Sequence, residues 1–132
     1  MVSKRRLAKK NGYDSGFEMD LATGPLSHAE YHPEKVTYTI PERQARYEPD
    51  FDVNGVLVEA KGRLRPGDPA RYKLIFESLR ERGIELVFVF EKPELPLPGA
   101  QKRKDGTKRS HAQWAEGIGA RWFSKDNVGD LK

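Results

Sequence analysis

Two carboxylates and one lysine stand close together in the chain, in the segments Pro49-Asp50 and Glu59-Ala60-Lys61. Carboxylate oxygens are hard ligands that suit Mg²⁺, which usually takes one or two of them and keeps several waters. A bound Mg²⁺ lowers the pKa of a water and polarises a phosphoryl oxygen. The lysine would then act as a cation that orients the water or stabilises the phosphate, or as a base if burial depresses its pKa. These residue types therefore point to metal-assisted hydrolysis of phosphodiesters.

A simpler explanation of the same residues stays open. Asp50 would be a turn residue after a proline, and Glu59 and Lys61 would be an exposed ion pair at the end of a strand, because the pattern is short and loose. In a strand, residues two apart share a face, so Glu59 and Lys61 point the same way, just past an apolar run at residues 56–58. Charges beside a buried strand need a partner, and a metal ion would supply one.

A β-hairpin has to position these three residues. The sequence predicts strands over residues 47–53 and 56–61, joined by Asn54-Gly55, and Asn-Gly is the strongest short hairpin signal. A half-buried strand is predicted before them over residues 35–40, followed by a polar connector over residues 41–46. The hairpin would bring Asp50 next to the other two functional side chains.

A crossover helix is predicted to follow the hairpin. Asp68 is expected to cap it, with Pro69 at its first position and Gly83 after its end. Its apolar stripe consists of Tyr72, Ile75, Phe76 and Leu79. A buried strand over residues 84–90 comes next, and a strand, helix, strand order favours parallel pairing through a right-handed crossover.

Shorter elements are predicted at the two ends of the chain. Ser15 is expected to cap a short helix that carries Glu18 in its first turn and ends at Gly24-Pro25. Towards the other end, the sequence predicts a loop over residues 91–110. A second short helix over residues 111–116 and an edge strand over residues 121–124 complete the prediction.

Length and composition restrict the class of protein. The chain has 132 residues and no cysteine, which fits one domain and excludes disulfides and cysteine-based zinc sites. His28, His32 and His111 are too far apart in the sequence to predict a metal-binding cluster. No apolar run approaches the ~18 residues of a membrane span, and the basic start does not resemble a secretory signal. We therefore expect a cytoplasmic protein without a membrane partner.

Positive charge is concentrated in two segments. Residues 4–10 carry +5 and residues 102–109 carry +4, so the rest of this chain of net charge +4 carries −5. Clustered Lys and Arg are typical of nucleic-acid binding, although solubilising charge runs look the same. Arg71 and Lys73 would contact phosphates from the crossover helix or simply form its polar face. The predicted DNA-binding residues are Lys4, Arg5, Arg6, Lys9, Lys10, Arg71, Lys73, Lys102, Arg103, Lys104, Lys108 and Arg109.

The segments around the motif resemble the phage endonuclease I family, the Holliday-junction resolvases of T-seven-like phages. The motif itself matches the PD-(D/E)xK nuclease signature. The resemblance covers about residues 15–124 and ends in the helix around Trp114. The similar segments are SGFE at residues 15–18, EYHPEKVTYTIPERQARYEPDF at 30–51, GVLVEAKG at 55–62 and IELVFVF at 84–90.

The resemblance implies a restriction-endonuclease-like fold and a role for each residue of the site. Asp50 and Glu59 would bind Mg²⁺, with the backbone carbonyl of Ala60 as a third protein ligand, and Mn²⁺ would be able to substitute. Lys61 would be the catalytic lysine. Glu18 would complete the site and could hold a second metal, although the residues alone also fit a solvated carboxylate favoured by the helix dipole.

The same resemblance implies an intertwined, domain-swapped homodimer. Its connecting segment corresponds to about residues 40–47, and each site would draw residues from both chains. Glu18 would then act with the partner's Asp50. Paired sites would allow paired cuts in branched DNA, the expected substrate.

The predicted fold class is α/β, with a small mixed central sheet flanked by helices. Residues 1–14 are expected to form a flexible basic arm, and residues 15–132 a single nuclease domain. The predicted function is a structure-selective endonuclease that cleaves four-way (Holliday) junctions and other branched DNA. Two alternatives remain: a mismatch- or sequence-specific nuclease with the same chemistry, and a non-catalytic DNA-binding protein that uses the two basic segments.

Overall fold

A five-stranded mixed sheet lies at the centre of the computed structural model, which describes residues 4–40 and 43–131. The elements in chain order are α1 (Lys4–Lys10), α2 (Gly16–Thr23), β1 (Glu30–Tyr31), β2 (Val36–Ile40), β3 (Arg43–Tyr47), β4 (Phe51–Val53), β5 (Val56–Lys61), α3 (Asp68–Glu81), β6 (Leu86–Phe90), α4 (His111–Ile118), β7 (Trp122–Ser124) and a 3-10 turn (Val128–Asp130). The sheet order is β1-β4-β5-β6-β7. The β1, β4 and β5 strands pair antiparallel, whereas β5, β6 and β7 pair parallel, which confirms the predicted mixed sheet.

The β4–β5 hairpin forms at the predicted turn. Asn54 and Gly55 have φ values of 52° and 93°, the two positive angles that a tight two-residue hairpin turn requires. The sequence predicts a single strand over residues 47–53, but β4 begins only at Phe51. Pro49 has no N–H to donate to a ladder, so the chain leaves one sheet before it and joins the other after it.

A separate two-stranded ribbon replaces the predicted polar connector. The β3 strand pairs antiparallel with β2, from Val36 opposite Tyr47 to Ile40 opposite Arg43. The prediction of a connector over residues 41–46 is wrong at residues 43–46, and residues 41 and 42 lie outside the described part of the chain. The polar sequence shows no alternation, but a neighbouring strand supplies backbone hydrogen bonds that no local pattern displays.

The β5–α3–β6 crossover matches the prediction except at its cap. Gly67, with φ 89°, is the residue before α3, and no side chain caps the helix. Asp68 is the first helical residue, and its Oδ2 accepts a hydrogen bond from the N–H of Arg65 at 2.9 Å. The carboxylate therefore closes the preceding turn instead of capping the helix, so the predicted role of Asp68 is wrong by one position.

Apolar side chains fill both faces of the sheet. Because successive strand residues point to opposite faces, β5 and β6 contribute to two separate clusters. One cluster packs the sheet against α3 and α4, and the other packs it against α2 and the 3-10 turn. The first contains Leu57, Ile75, Phe76, Leu79, Phe88, Phe90 and Trp114. The second contains Phe17, Leu21, Leu26, Val58, Val87, Val89 and Val128. Helices therefore cover both faces, as the α/β prediction requires.

The basic start of the chain contains a helix, α1, where the sequence predicts an irregular arm. Ala8 is fully buried, and its carbonyl accepts a hydrogen bond from the N–H of Tyr13 at 2.8 Å. Ala8 lies among charged residues in the sequence, so composition alone gives no sign of its burial and favours an arm. None of the helices in the described ranges is long and apolar enough to cross a bilayer.

Candidate active site

The β4–β5 hairpin brings Asp50, Glu59 and Lys61 to one cavity of about 520 Å³. Its lining is polar and carries charges of both signs. The lining residues are Asp14, Glu18, His32, Lys35, Arg46, Tyr47, Glu48, Asp50, Glu59, Ala60, Lys61, Arg71 and Tyr72. All five residues predicted to bind metal or to act chemically therefore lie around the same space.

Asp50 lies just before β4, where the hairpin turns it towards the end of β5. Its Oδ2 accepts a hydrogen bond from the N–H of Ala60 at 2.9 Å, and its own N–H bonds to the carbonyl of Val58 at 3.0 Å. Burial, followed by the charges of Glu59 and Glu18, raises the pKa of the Asp50 carboxyl far above its usual range. Three carboxyl groups thus lie close together in a desolvated site, where their negative charges would repel one another. A bound cation would relieve that repulsion.

Glu59 points from β5 to the α3 side and is only 4% exposed. Tyr47 donates a short hydrogen bond to Oε1, and the hydroxyl of Tyr72 donates to Oε2 at 3.1 Å. Burial and the Glu59 carboxylate raise the pKa of Tyr47 well above its usual value and that of Tyr72 to about 12. Both phenols therefore stay protonated at neutral pH and remain donors that orient the carboxylate.

Lys61 shares its face of β5 with Glu59, as the strand period predicts. Its Nζ lies 3.3 Å from Glu59 Oε2 and 4.9 Å from the centre of the Tyr72 ring. Burial is the largest influence and lowers the pKa of this lysine, but Glu59, Tyr72 and Asp50 together outweigh burial and raise the pKa above its usual value. The ammonium group is therefore a cation beside Glu59, suited to stabilising negative charge.

Glu18 reaches the cavity from α2 and is 8% exposed. Ser15 caps α2 by accepting the N–H of Glu18 at 3.0 Å, as predicted, and its hydroxyl donates to Glu18 Oε2 at 3.0 Å. Tyr31 donates to Oε1 at 3.0 Å. The described chain thus brings Glu18 to the same cavity as Asp50 without a partner subunit.

Several residues of the cavity have no signal in the sequence. Tyr72 belongs to an apolar stripe that predicts only a core contact, yet its hydroxyl binds Glu59. Tyr47 lies at the end of the unpredicted strand β3. Asp14 and His32 face Glu18 from separate segments, and their ligand atoms lie within 4.8 Å of one another and of a Glu18 oxygen, a proximity that the spacing of the histidines did not predict. Their proximity arises from tertiary packing, since 18 residues separate Asp14 from His32.

His111 fits the expected role of a core histidine. It is fully buried, its Nε2 accepts the N–H of Leu64 at 2.8 Å, and its Nδ1 lies 2.7 Å from the carbonyl of Leu95. His28 is exposed in the turn between α2 and β1. Neither residue lines the cavity.

Most of the predicted DNA-binding residues lie elsewhere. Arg71 lines the cavity, whereas Lys73 does not and pairs with Glu77 at 4.0 Å on the helix surface. Arg103 and Lys108 line a different cavity of about 530 Å³. The exposed residues Lys9, Lys10, Lys102, Lys104 and Arg109 line neither cavity. The side chains of Lys4, Arg5 and Arg6 lie outside the described part of the structure.

Two unpredicted arginines lie beside the site. Arg63 and Arg65 are exposed on the loop after β5 and line a cavity of about 720 Å³. That cavity shares Glu18, Ala60 and Lys61 with the first one. Among the described residues, neither guanidinium lies within ion-pair distance of a carboxylate.

Two further basic side chains, Lys35 and Arg46, are exposed in the first cavity. Both cavities therefore place positive charge near the carboxylates, where a polyanion would meet it.

Comparison with known proteins identifies a family for this chain. The chain matches the family described as phage endonuclease I over residues 1–126. It is 31% identical over 97 residues to "Endodeoxyribonuclease 1" of Enterobacteria phage T3, which covers 73% of this chain and 59% of that protein. It is 32% identical over 97 residues to "Endonuclease I" of Escherichia phage T7, which covers 73% of this chain and 60% of that protein. The chain therefore spans about three fifths of the length of these relatives. No solved structure matches it.

Proposed function

The chain belongs to the phage endonuclease I family, and from this premise we propose that it is a Mg²⁺-dependent endonuclease that cuts branched DNA, above all four-way junctions. The observation that carries the proposal is the convergence of Asp50, Glu59 and Lys61 on one open, polar cavity. The same donors would serve with Mn²⁺, because both ions accept carboxylate and carbonyl oxygens.

The donor set fits a divalent cation. Asp50 and Glu59 would hold the ion together with the backbone carbonyl of Ala60, and Glu18 would complete the site or hold a second ion. Burial, followed by the charges of Glu59 and Glu18, raises the pKa of Asp50, and a bound cation would offset the repulsion between these carboxylates. When bound, Mg²⁺ supplies Lewis acidity towards a phosphoryl oxygen and a water of lowered pKa.

The residues around the carboxylates supply orientation and charge. Tyr47 and Tyr72 occupy both oxygens of Glu59 and limit its rotation. Lys61 is held by Glu59 and by the Tyr72 ring, so its ammonium group would face the phosphate as a fixed cation. A role as general base is disfavoured, because the Glu59 carboxylate raises the pKa of Lys61.

Nucleic acid fits the charge pattern of the two cavities. Arg63 and Arg65, which have no carboxylate within ion-pair distance among the described residues, line one cavity, and Lys35 and Arg46 line the other, so these four side chains would bind phosphates of a nucleic-acid strand. Contacts to phosphates fix position without reading base sequence, which suits an enzyme that selects branched DNA by shape. The setting would be the cytoplasm of an infected bacterium.

Cleavage of a four-way junction on two strands calls for two sites, so the proposal includes a homodimer. An intertwined dimer would exchange the chain at residues 40–47, a segment that runs from the end of β2 through β3. Because β1 precedes this segment and β4 follows it, the exchange would make the β1–β4 pairing of the five-stranded sheet a contact between the two chains.

The test incubates the purified chain with a labelled four-way junction and with a linear duplex of the same sequence, with and without Mg²⁺. We expect Mg²⁺-dependent paired cuts in the junction alone, and a dimer by light scattering. Equal cutting of the duplex, or an uncut junction, would refute the proposal. Cutting that follows one sequence or one mismatch in linear DNA would favour the alternative nuclease.

A single substitution separates catalysis from binding. We expect Asp50→Ala to bind the junction in a gel-shift assay but to leave it intact. If Asp50→Ala alters neither metal affinity nor strand integrity relative to the wild type, the chain is a non-catalytic DNA-binding protein.

A further inference from the structure

Three side chains of metal-ligating types meet at the first cavity. Asp14, Glu18 and His32 each offer one ligand atom, and all three atoms lie within 4.8 Å of one another. His32 Nε2 lies 3.2 Å from Asp14 Oδ2 and 3.6 Å from Glu18 Oε1. Donors bound to one ion at about 2.1 Å are about 3.0–3.4 Å apart, so these separations are close to those of a coordination site.

A neighbouring tyrosine organises the cluster. Tyr31 donates a hydrogen bond to Glu18 at 3.0 Å and accepts one from the backbone N–H of Asp14 at 3.2 Å. Its ring stacks on the His32 imidazole, with the ring centres 4.1 Å apart. Tyr31 therefore orients the Glu18 and His32 donors and fixes the backbone of Asp14, whose exposed carboxylate completes the cluster.

The second nitrogen of His32 also has the environment of a metal-binding histidine. His32 Nδ1 lies 3.6 Å from Glu48 Oε2. Ligating histidines commonly direct the other ring nitrogen to a carboxylate, which fixes the tautomer and makes the free nitrogen a better ligand. The cluster opens into the 520 Å³ cavity, which leaves room for the ion's remaining water ligands.

We propose that Asp14, Glu18 and His32 bind one divalent transition-metal ion of the Zn²⁺, Co²⁺ or Mn²⁺ type. An imidazole nitrogen with two carboxylates suits these ions, whereas Mg²⁺ and Ca²⁺ prefer oxygen alone. This ion is additional to the one proposed for Asp50 and Glu59. The shared ligand Glu18 would couple the two sites, because the ion at His32 sets the orientation of a carboxylate that also faces Asp50.

The experiment titrates the metal-free full-length chain with Co²⁺ and records the visible absorption of the bound ion alongside calorimetry. We expect one Co²⁺ to bind with a nitrogen-containing ligand field, distinct from any Co²⁺ held by the oxygen ligands Asp50 and Glu59, and we expect Mg²⁺ not to displace it. His32→Gln and Asp14→Asn should each weaken this binding at least about tenfold, since even loss of an outer-shell partner costs 10–100-fold. His28→Gln, an exposed histidine outside the cavity, is the matched control and should bind Co²⁺ as the wild type does.

The folding of the variants is checked by metal-free thermal melts, and Asp14 is a safe site because its side chain is 71% exposed. A nitrogen-containing Co²⁺ spectrum that survives both His32→Gln and Asp14→Asn would overturn the proposal. So would loss of that same spectrum in Asp50→Asn, because the ion would then sit in the catalytic centre. Junction cleavage in Mg²⁺ is measured in a separate assay. If the chain fails to cut the junction, the Co²⁺ titration still tests the site at His32.

Discussion

The hydrogen bond from Tyr72 to Glu59 offers a sharp test of how the site is built. Tyr72→Phe removes one hydroxyl and leaves the ring, which packs edge-on against Phe88 with the ring centres 6.0 Å apart. Glu59 keeps its bond from Tyr47 and its ion pair with Lys61. The substitution therefore changes the orientation of one carboxylate and little else.

The size of the effect follows from the burial of Glu59. A hydrogen bond to a charged group contributes about 1.5–3 kcal/mol, which corresponds to roughly 10–100-fold in an equilibrium constant. Loss of a hydrogen-bond partner behind a metal ligand costs a similar factor in metal affinity or activity. We therefore expect the Mg²⁺ midpoint of junction cleavage to rise by about 10–100-fold in Tyr72→Phe.

The assay measures initial cleavage rates across a Mg²⁺ series for the wild type, Tyr72→Phe and Tyr13→Phe. Tyr13→Phe makes the same chemical change outside the cavity that contains Glu59, so its midpoint should match that of the wild type. A Tyr72→Phe midpoint equal to that of Tyr13→Phe would refute the reasoning, because the hydroxyl would then have no part in orienting Glu59.

Three further predictions concern charge, substrate contact and the core. The Asp50 pKa is raised in the folded state, so folding favours its protonated form and the metal-free protein should lose stability as the pH rises above about 4. Melts at pH 5 and pH 8 should show this loss, which Asp50→Asn or added Mg²⁺ should remove. Arg63→Gln and Arg65→Gln should each lower the slope of log K against log salt for junction binding by about 0.9 per lost phosphate contact, with exposed Lys125→Gln as the unaffected control. Leu79→Ala, at a fully buried position, should destabilise the fold by about 2–5 kcal/mol in urea melts.

Local patterns in the sequence were sufficient for the elements that carry the catalytic motif. The Asn54-Gly55 turn, the apolar stripe of α3 and the apolar run of β6 each follow from neighbouring residues, and the strand–helix–strand order predicts the parallel pairing. The period of two along β5 placed Glu59 and Lys61 on one face. Ser15 capped the helix of Glu18 for the same local reason, a side-chain oxygen within reach of the third N–H beyond it.

Tertiary structure alone decided how the site is surrounded. The β3 strand exists because β2 lies beside it, and that pairing places Tyr47 against Glu59. His32 meets Asp14 because β1 pairs with β4 and carries the chain back to the start of α2. A hydroxyl in an apolar stripe and a histidine in a loop have no periodic signature, since their partners are 12 or more residues away. The sequence by itself indicated which groups have the chemistry that the proposed reaction needs, and the packing of distant segments determined which groups surround them.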